Sequence, residues 1–213
     1  MAAPSLTLVH TQVPVSTPFF ERVVAGLALV MLTPALGAVL AAVRVLSGKA
    51  PLVAHLRVGQ FGEPLWVWKV RTMWSGREER TGGCFEHLGD TKVPALKAGN
   101  DPRVTSSFAA FCRRHSIDEI PQLWHVVSGT MRIVGPRPMT QVELDEHYGS
   151  AQTEVLSVPP GLTGLWQVMG RNRLSYAQRR RLDVFLARRY GWRLCLRVLL
   201  RTVREILRPR DAW

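Results

Sequence analysis

Apolar and polar positions divide the chain into three unlike parts. Between Arg22 and Arg44 there is no charged residue. A helix of that length reaches roughly 30 Å, the thickness of a bilayer's hydrocarbon core. The run is apolar on every side, whereas a helix in a soluble core keeps a polar face. Residues 19–48 are therefore expected to enter a membrane. Thr33-Pro34 interrupts the run near its middle. Proline removes a backbone donor and pushes the preceding residue out of the α region. The segment either spans with a kink or bends back to the face it entered from. Arg22 precedes it, and Arg44, Lys49 and Arg57 follow. Cations at both ends give no direction for a span; both ends on the cytoplasmic face would satisfy them. Thr33 offers a side-chain partner to backbone freed at the break. Residues 1–18, with Pro4, Pro14 and Pro18 and no Lys or Arg, read as a flexible tail without the positive start of a signal peptide.

In the second part, residues 49–213 begin with a change of period. Residues 52–58 and 65–71 alternate like two short strands around Gly59-Gln60-Phe61-Gly62, which predicts a hairpin. Lys69 and Arg71 share a face there and read as a solvated edge. Residues 74–100 are polar and glycine-rich, as in a long loop. Residues 106–114 predict a short helix. Ile120, Leu123, Trp124 and Val127 predict another, stopped by Gly129.

The third part is helical from about Tyr176. Arg189, Arg193, Arg197 and Arg201 recur every four residues and form one stripe, with Trp192, Leu196, Leu199, Leu200, Val203 and Leu207 on other faces. Such a basic amphipathic helix suits a membrane surface.

Composition adds one constraint. The 213 residues carry a formal net charge of +12, which favours an anionic partner: nucleic acid, a phosphate-bearing substrate or an anionic membrane. Cys84, Cys112 and Cys195 are far apart and show no metal-ligand or disulfide spacing, which fits a reducing compartment.

Three constellations carry candidate chemistry. In Arg113-Arg114-His115-Ser116-Ile117-Asp118-Glu119-Ile120-Pro121, two carboxylates follow two arginines. One carboxylate suits a nucleophile on phosphorus and the other a divalent metal, while guanidinium groups suit phosphate oxygens. Ser116 and Glu119 also match a capping box. Pro121 speaks against it and predicts a helix beginning near Pro121, with Asp118 and Glu119 just ahead of its positive end. In Gly135-Pro136-Arg137-Pro138 two prolines stiffen the backbone around one arginine, as a phosphate-binding cation or a structural turn requires. In the segment from Pro160-Gly161 to Gly170-Arg171-Asn172, glycines allow close backbone approach. No nucleotide-binding GxxxxGK[ST] or GxGxxG pattern occurs.

Together these segments resemble the bacterial sugar transferase family, the monotopic polyprenyl-phosphate phosphoglycosyl transferases. The resemblance runs from about Phe19 to Leu207. It rests on Thr33-Pro34 in the apolar run, Arg57-Val58-Gly59, Trp68-Lys69-Val70-Arg71-Thr72-Met73 and Asn100-Asp101-Pro102-Arg103-Val104-Thr105. It rests further on Asp118-Glu119-Ile120-Pro121-Gln122-Leu123-Trp124, Gly135-Pro136-Arg137-Pro138 and Gly164-Leu165-Trp166-Gln167. Each is weak alone; their order and spacing are specific.

The resemblance implies an α+β, mostly helical enzyme of the bacterial inner membrane. It would have a re-entrant membrane helix broken at Thr33-Pro34, a small β-hairpin, basic interfacial C-terminal helices and a catalytic domain on the cytoplasmic face. It implies that Asp118 attacks the sugar-bearing phosphate of a UDP-sugar, releasing UMP, and that the phosphosugar then passes to polyprenyl phosphate. Glu119 would bind Mg²⁺, and Arg113, Arg137 and Arg171 would contact substrate phosphates. Nucleic acid is not expected as a partner. The chain departs from the family's usual residues at His125, Thr130, Pro159 and around Arg22-Val23. Two rival readings stay open: a catalytically degenerate scaffold, and a membrane-bound nucleic-acid-binding protein.

Overall fold

The computed structural model describes residues 17–74, 83–89, 104 and 106–207. Helix α1 is continuous from Phe19 to Ser47, with Pro34 inside it and Gly48 closing it in the left-handed conformation at φ 69°. Thr33 Oγ1 donates to the Leu29 carbonyl at 2.7 Å, while Pro34 offers no N–H to the carbonyl four residues before it. Two successive carbonyls are thus disturbed at the expected break, although the helix runs through it.

Both ends of α1 pack on the rest of the chain. Ala25 joins a core with Leu65, Val67, Val126 and Met131. Val43, with Leu36, Val39 and Leu40, joins Val70, Trp74 and Ala109. Residues 30–35 between them are all exposed. The first turn is pinned by charge: Glu21 Oε1 accepts from Arg132 at 2.8 Å and Glu21 Oε2 from the Ile133 N–H at 2.9 Å, both side chains being buried. A buried ion pair depends on further hydrogen bonds, and here the Ile133 N–H supplies one to the Glu21 carboxylate, while Arg132 Nε has no hydrogen-bond partner among the described residues. Phe20-Glu21 thus supplies a carboxylate at this end of the helix.

The hairpin forms as expected: β1 (Leu52–Val58) pairs antiparallel with β2 (Pro64–Val70). A third strand, β3 (Phe85–Leu88), lies parallel to β1 within the stretch expected to be loop. Four residues without alternation carry no readable strand signal. Residues 75–82, 90–103 and 105 lie outside the described residues.

The free edge of β2 is closed by α3 (Leu123–Ser128). His125 Nε2 accepts the Trp68 N–H at 3.2 Å. The expectation of a solvated edge for Lys69 and Arg71 is overturned. Arg71 is buried, donating to the Ala50 carbonyl at 2.7 Å and pairing with Glu86, and Lys69 turns to Glu119.

Helix α2 (Ser107–Arg114) forms where a short helix was expected, and the Ser106 side chain caps it by accepting from the Phe108 N–H. The next segment differs. Ser116 sits in the left-handed region at φ 56°, and residues Ile117–Gln122 form a 3₁₀ turn that holds Asp118, Glu119 and Pro121 inside it. The capping box is not made. The α-helix starts only at Leu123 and stops at Gly129 (φ 87°).

Two short strands, β4 (Arg132–Val134) and β5 (Gly161–Thr163), pair in parallel. Helices α4 (Gln141–His147) and α5 (Gln152–Val155) lie between them, and α6 (Leu165–Met169) follows. The expected C-terminal helix is two: α7 (Tyr176–Arg188) and α8 (Trp192–Leu207), with Arg189 in the link. Helix α8 has three sectors. Leu194, Cys195, Val198 and Leu199 pack on the core. Trp192, Leu196, Leu200, Val203 and Leu207 are exposed, and so are Arg193, Arg197, Arg201 and Arg204.

Candidate active site

The β4–β5 seam builds the floor. A Cβ on Gly161 would lie 2.0 Å from the Gly135 nitrogen, and one on Gly135 would lie 2.7 Å from the Gly161 nitrogen and the Pro159 oxygen. Only glycine fits either place. Gly135 N–H donates to the Thr163 carbonyl at 2.9 Å and Gly161 N–H to the Pro136 carbonyl at 2.8 Å. The close backbone approach expected in the segment that contains Gly161 is therefore made against Gly135 of the other motif. Its product is a fixed platform from which Arg137 projects.

Around that platform is a cavity of about 660 Å³. Arg57, Arg113, Arg137, Arg171 and Arg179 line it, with Glu119 and Glu143 the carboxylates among its walls. Glu119 Oε1 accepts from Lys69 Nζ at 2.8 Å and lies 3.7 Å from Arg137 Nη1. Arg113 is buried and donates to Thr72 Oγ1 at 3.3 Å. Arg171 stands in the left-handed region at φ 46°, its Nε donating to the Gln167 carbonyl at 3.1 Å. Three expected phosphate contacts, Arg113, Arg137 and Arg171, thus face one space with Glu119. Asp118 is on the same turn but nearly buried and not in the cavity wall. It lies close enough to Cys112 for its charge to add to burial, which pushes that thiol up to about 11.

Behind the arginines sits Asp183, fully buried on α7. Its Oδ2 accepts from the Tyr148 hydroxyl at 2.8 Å. Burial pushes its carboxyl up to about 7, against the pull of the Tyr148 bond, Arg137 and Arg179. The Trp166 indole N–H also steadies the charged form without meeting hydrogen-bond geometry, since both Trp166 Nε1 and Asp183 Oδ1 lack a bonded partner. The Arg179 guanidinium lies 4.6 Å above the Trp166 ring and 5.2 Å above that of Tyr176. Its Nη2 donates to the Arg171 carbonyl at 3.4 Å.

Sequence reasoning missed Lys69, Arg179 and Asp183. Lys69 looked like an edge charge because β2 lacked its α3 neighbour in the linear pattern. Arg179 was hidden in the run Arg179-Arg180-Arg181, and Asp183 was a lone acid beyond it.

The cavity wall is of two kinds. Besides the arginines it includes Val24, Ala25, Ala28 and Leu32 of α1 and Leu199, Val203 and Ile206 of α8. It suits a molecule with an anionic head and an apolar body. The sequence profile of the bacterial sugar transferases matches residues 14–209. The chain belongs to the bacterial sugar transferase family. Among its curated relatives is the exopolysaccharide production protein ExoY of Rhizobium meliloti, 34% identical over 197 residues, 91% of this chain and 86% of ExoY. The undecaprenyl-phosphate galactose phosphotransferase of Salmonella typhimurium is 34% identical over 172 residues, 78% of this chain and 35% of that protein. The UDP-glucose:undecaprenyl-phosphate glucose-1-phosphate transferase of Escherichia coli is 34% identical over 152 residues, 70% of this chain and 30% of that protein. The chain thus matches most of ExoY but about a third of the other two.

Among the described residues no group of three or more His, Cys, Asp or Glu side chains could hold a metal ion by itself. A magnesium ion does not need one. It is commonly held by one or two carboxylates plus substrate phosphates and water, and Glu119, facing the arginine-lined space, is a suitable donor.

Proposed function

We propose that this bacterial sugar transferase moves a sugar-1-phosphate from a UDP-sugar to polyprenyl phosphate, releasing UMP. The observation that carries the reading is the cavity itself. Its wall combines Arg113, Arg137, Arg171 and Glu119 with apolar side chains of two helices that carry exposed apolar faces. The relatives named for undecaprenyl phosphate support the lipid acceptor.

In this reading an Asp118 carboxylate oxygen attacks the sugar-bearing phosphorus. The bond to the bridging oxygen breaks, and UMP leaves with that electron pair. A phosphate oxygen of the lipid then attacks the same phosphorus and displaces Asp118, giving polyprenyl-diphosphate-sugar. Splitting the transfer lets one arginine set serve donor and acceptor in turn. Asp118 must turn from its buried place toward the cavity, a change of side-chain torsion that substrate binding can drive. Mg²⁺ held by Glu119 would neutralise phosphate charge. Arg137, fixed by its prolines, and Arg113, held by Thr72, orient the phosphates. Lys69 keeps the Glu119 carboxylate aimed at the cavity.

The site requires the lipid's phosphate at headgroup depth. A re-entrant α1 answers this: its two ends pack on one catalytic unit, its exposed middle (residues 30–35) faces lipid, and Thr33-Pro34, where the helix is continuous but two carbonyls are disturbed, is the point at which it would bend in the membrane. Both ends and the catalytic domain then lie on the cytoplasmic face of the inner membrane. The exposed sectors of α8 suit the anionic interface.

The test is UMP release from a panel of UDP-sugars in detergent with Mg²⁺ and polyprenyl phosphate. Asp118→Asn is expected to lower turnover at least about 10³-fold with the fold unchanged. Full activity in that variant would remove Asp118 as nucleophile. No release from any donor in the wild type would sink the reaction itself.

A further inference from the structure

We propose that His115 is a positioning residue for the acceptor. It fixes the α8 wall of the cavity at the width that admits a methyl-branched apolar chain beside α1. The proposal rests on the function proposed above and concerns only its second half-reaction.

His115 caps the C-terminus of α2 and lines the cavity two residues before the turn that holds Asp118 and Glu119. Its Nδ1 lies 3.1 Å from the carbonyl oxygen of Ile206, in the last turn of α8. A carbonyl only accepts, so Nδ1 carries the proton and donates. The ring is steadied by Phe111, its centroid 4.7 Å away. The link joins the catalytic segment to a helix distant in sequence.

The rest of α8 is held higher up. Val198 is buried in the core with Leu194 and Cys195, and Thr163 and Thr202 share a hydroxyl hydrogen bond at 2.8 Å. Beyond Thr202 the helix offers Val203 and Ile206 to the cavity while Val203 and Leu207 also stand exposed. The described residues give this last turn one side-chain tie to the catalytic segment, the His115 bond. Ala28 and Leu32 of α1 line the same cavity. Ala28 is the smaller of the two, and in this proposal the position of Val203 and Ile206 sets the width left beside it. The arginines fix where the phosphate sits, so the distance from them to this gap selects the first units of the lipid. A straight chain fills less of such a gap than a branched one.

The experiment separates the two half-reactions. Stoichiometric UMP release without acceptor reads the first; KM for polyprenyl phosphate against KM for an unbranched alkyl phosphate reads the second. His115→Ala is expected to raise KM for polyprenyl phosphate roughly three- to tenfold, the range for one lost hydrogen bond, and to narrow the preference over the unbranched lipid. UMP release and KM for the UDP-sugar stay unchanged. His115→Asn, whose amide N–H reaches the place of Nδ1–H, restores the acceptor KM. Faster amide exchange at residues 203–207 in His115→Ala, with no change in α7, accompanies the loss. Unchanged acceptor KM and preference in His115→Ala overturn the proposal, and so does equal loss of both half-reactions. Absence of UMP release in the wild type instead overturns the reaction on which it rests.

Discussion

The floor and the walls of the cavity are built by opposite means. The floor is backbone against backbone: Gly135 and Gly161 touch with no room for a Cβ, and Pro136 and Pro138 stiffen the chain around Arg137. The walls are two helices, α1 and α8, whose apolar side chains stand exposed along much of their length. A phosphate-transfer site needs its cations held to a fraction of an ångström. A lipid-facing wall needs only to be apolar and near the right place. Precision is spent where charge develops, and slack is left where the ligand is a flexible chain.

The sharpest way to break the floor is Gly161→Ala. The new Cβ would meet the Gly135 nitrogen and Cα, which are backbone atoms and cannot swing aside. We expect a loss of about 4 kcal/mol or more, at the upper end for overpacking, seen as failure to recover folded protein. A folded, active Gly161→Ala protein would show that the seam has slack. Next is Arg137→Lys, which keeps the charge and loses the planar fork. A fall in kcat/KM of about 100-fold with an unchanged melting temperature is expected, because the lysine cannot present two parallel donors.

The same contrast decides how much was legible in the sequence. The α1 run, the hairpin and the short helix over residues 106–114 were readable, because each rests on a local rule of period or turn chemistry; that Gly161 would meet Gly135 was not, since the contact is long-range. The arginines that meet in the cavity could be nominated from their motifs, and Arg113, Arg137 and Arg171 do line it. The 3₁₀ turn was not readable, since it depends on Ser116 adopting φ 56°, which nothing in Ser116 itself demands. Lys69, Arg179 and Asp183 were not readable either. Their roles come from long-range neighbours: Lys69 meets Glu119 fifty residues on, and Asp183 meets Tyr148 across 35 residues.

His125 joins floor to wall, because it closes the edge of β2 with the helix that α1 rests on. Burial depresses its pKa from 6.5 to about 4, and its Nε2 must stay unprotonated to accept the Trp68 N–H. Below pH 6.5 the unfolded chain takes up a proton that the folded chain refuses. This stability is therefore present above pH 6.5 and lost as pH falls toward 4, by about 2 kcal/mol at pH 5. Asp183 runs the other way. Its raised folded pKa of about 7 gives stability present below 3.8 and lost as pH rises through 7. The wild-type profile is thus flattened between pH 5 and 7, and the His125 part appears only by difference. His125→Asn keeps an acceptor and does not titrate, so its stability relative to wild type should improve by about 2 kcal/mol from pH 7.5 to pH 5. Parallel unfolding midpoints over that range would refute the cap.

The smallest effect tests the wall alone. Leu200 on α8 is 64% exposed, so Leu200→Ser should barely change the fold. If the exposed apolar sector lies in the membrane interface, the same substitution removes apolar surface from lipid and weakens docking of α8 by about 1 kcal/mol. Docking of one helix on an already anchored protein is read by amide exchange in liposomes. Exchange across α8 should quicken about fivefold in Leu200→Ser, while α7, which packs inside the domain, stays as in wild type. Arg201→Gln gives the complementary reading. Its effect should shrink as salt rises, because an exposed arginine acts on an anionic surface through a screened field. Salt-independent exchange in Arg201→Gln, together with wild-type exchange in Leu200→Ser, would place α8 in water. The wall opposite α1 would then be held by the protein alone.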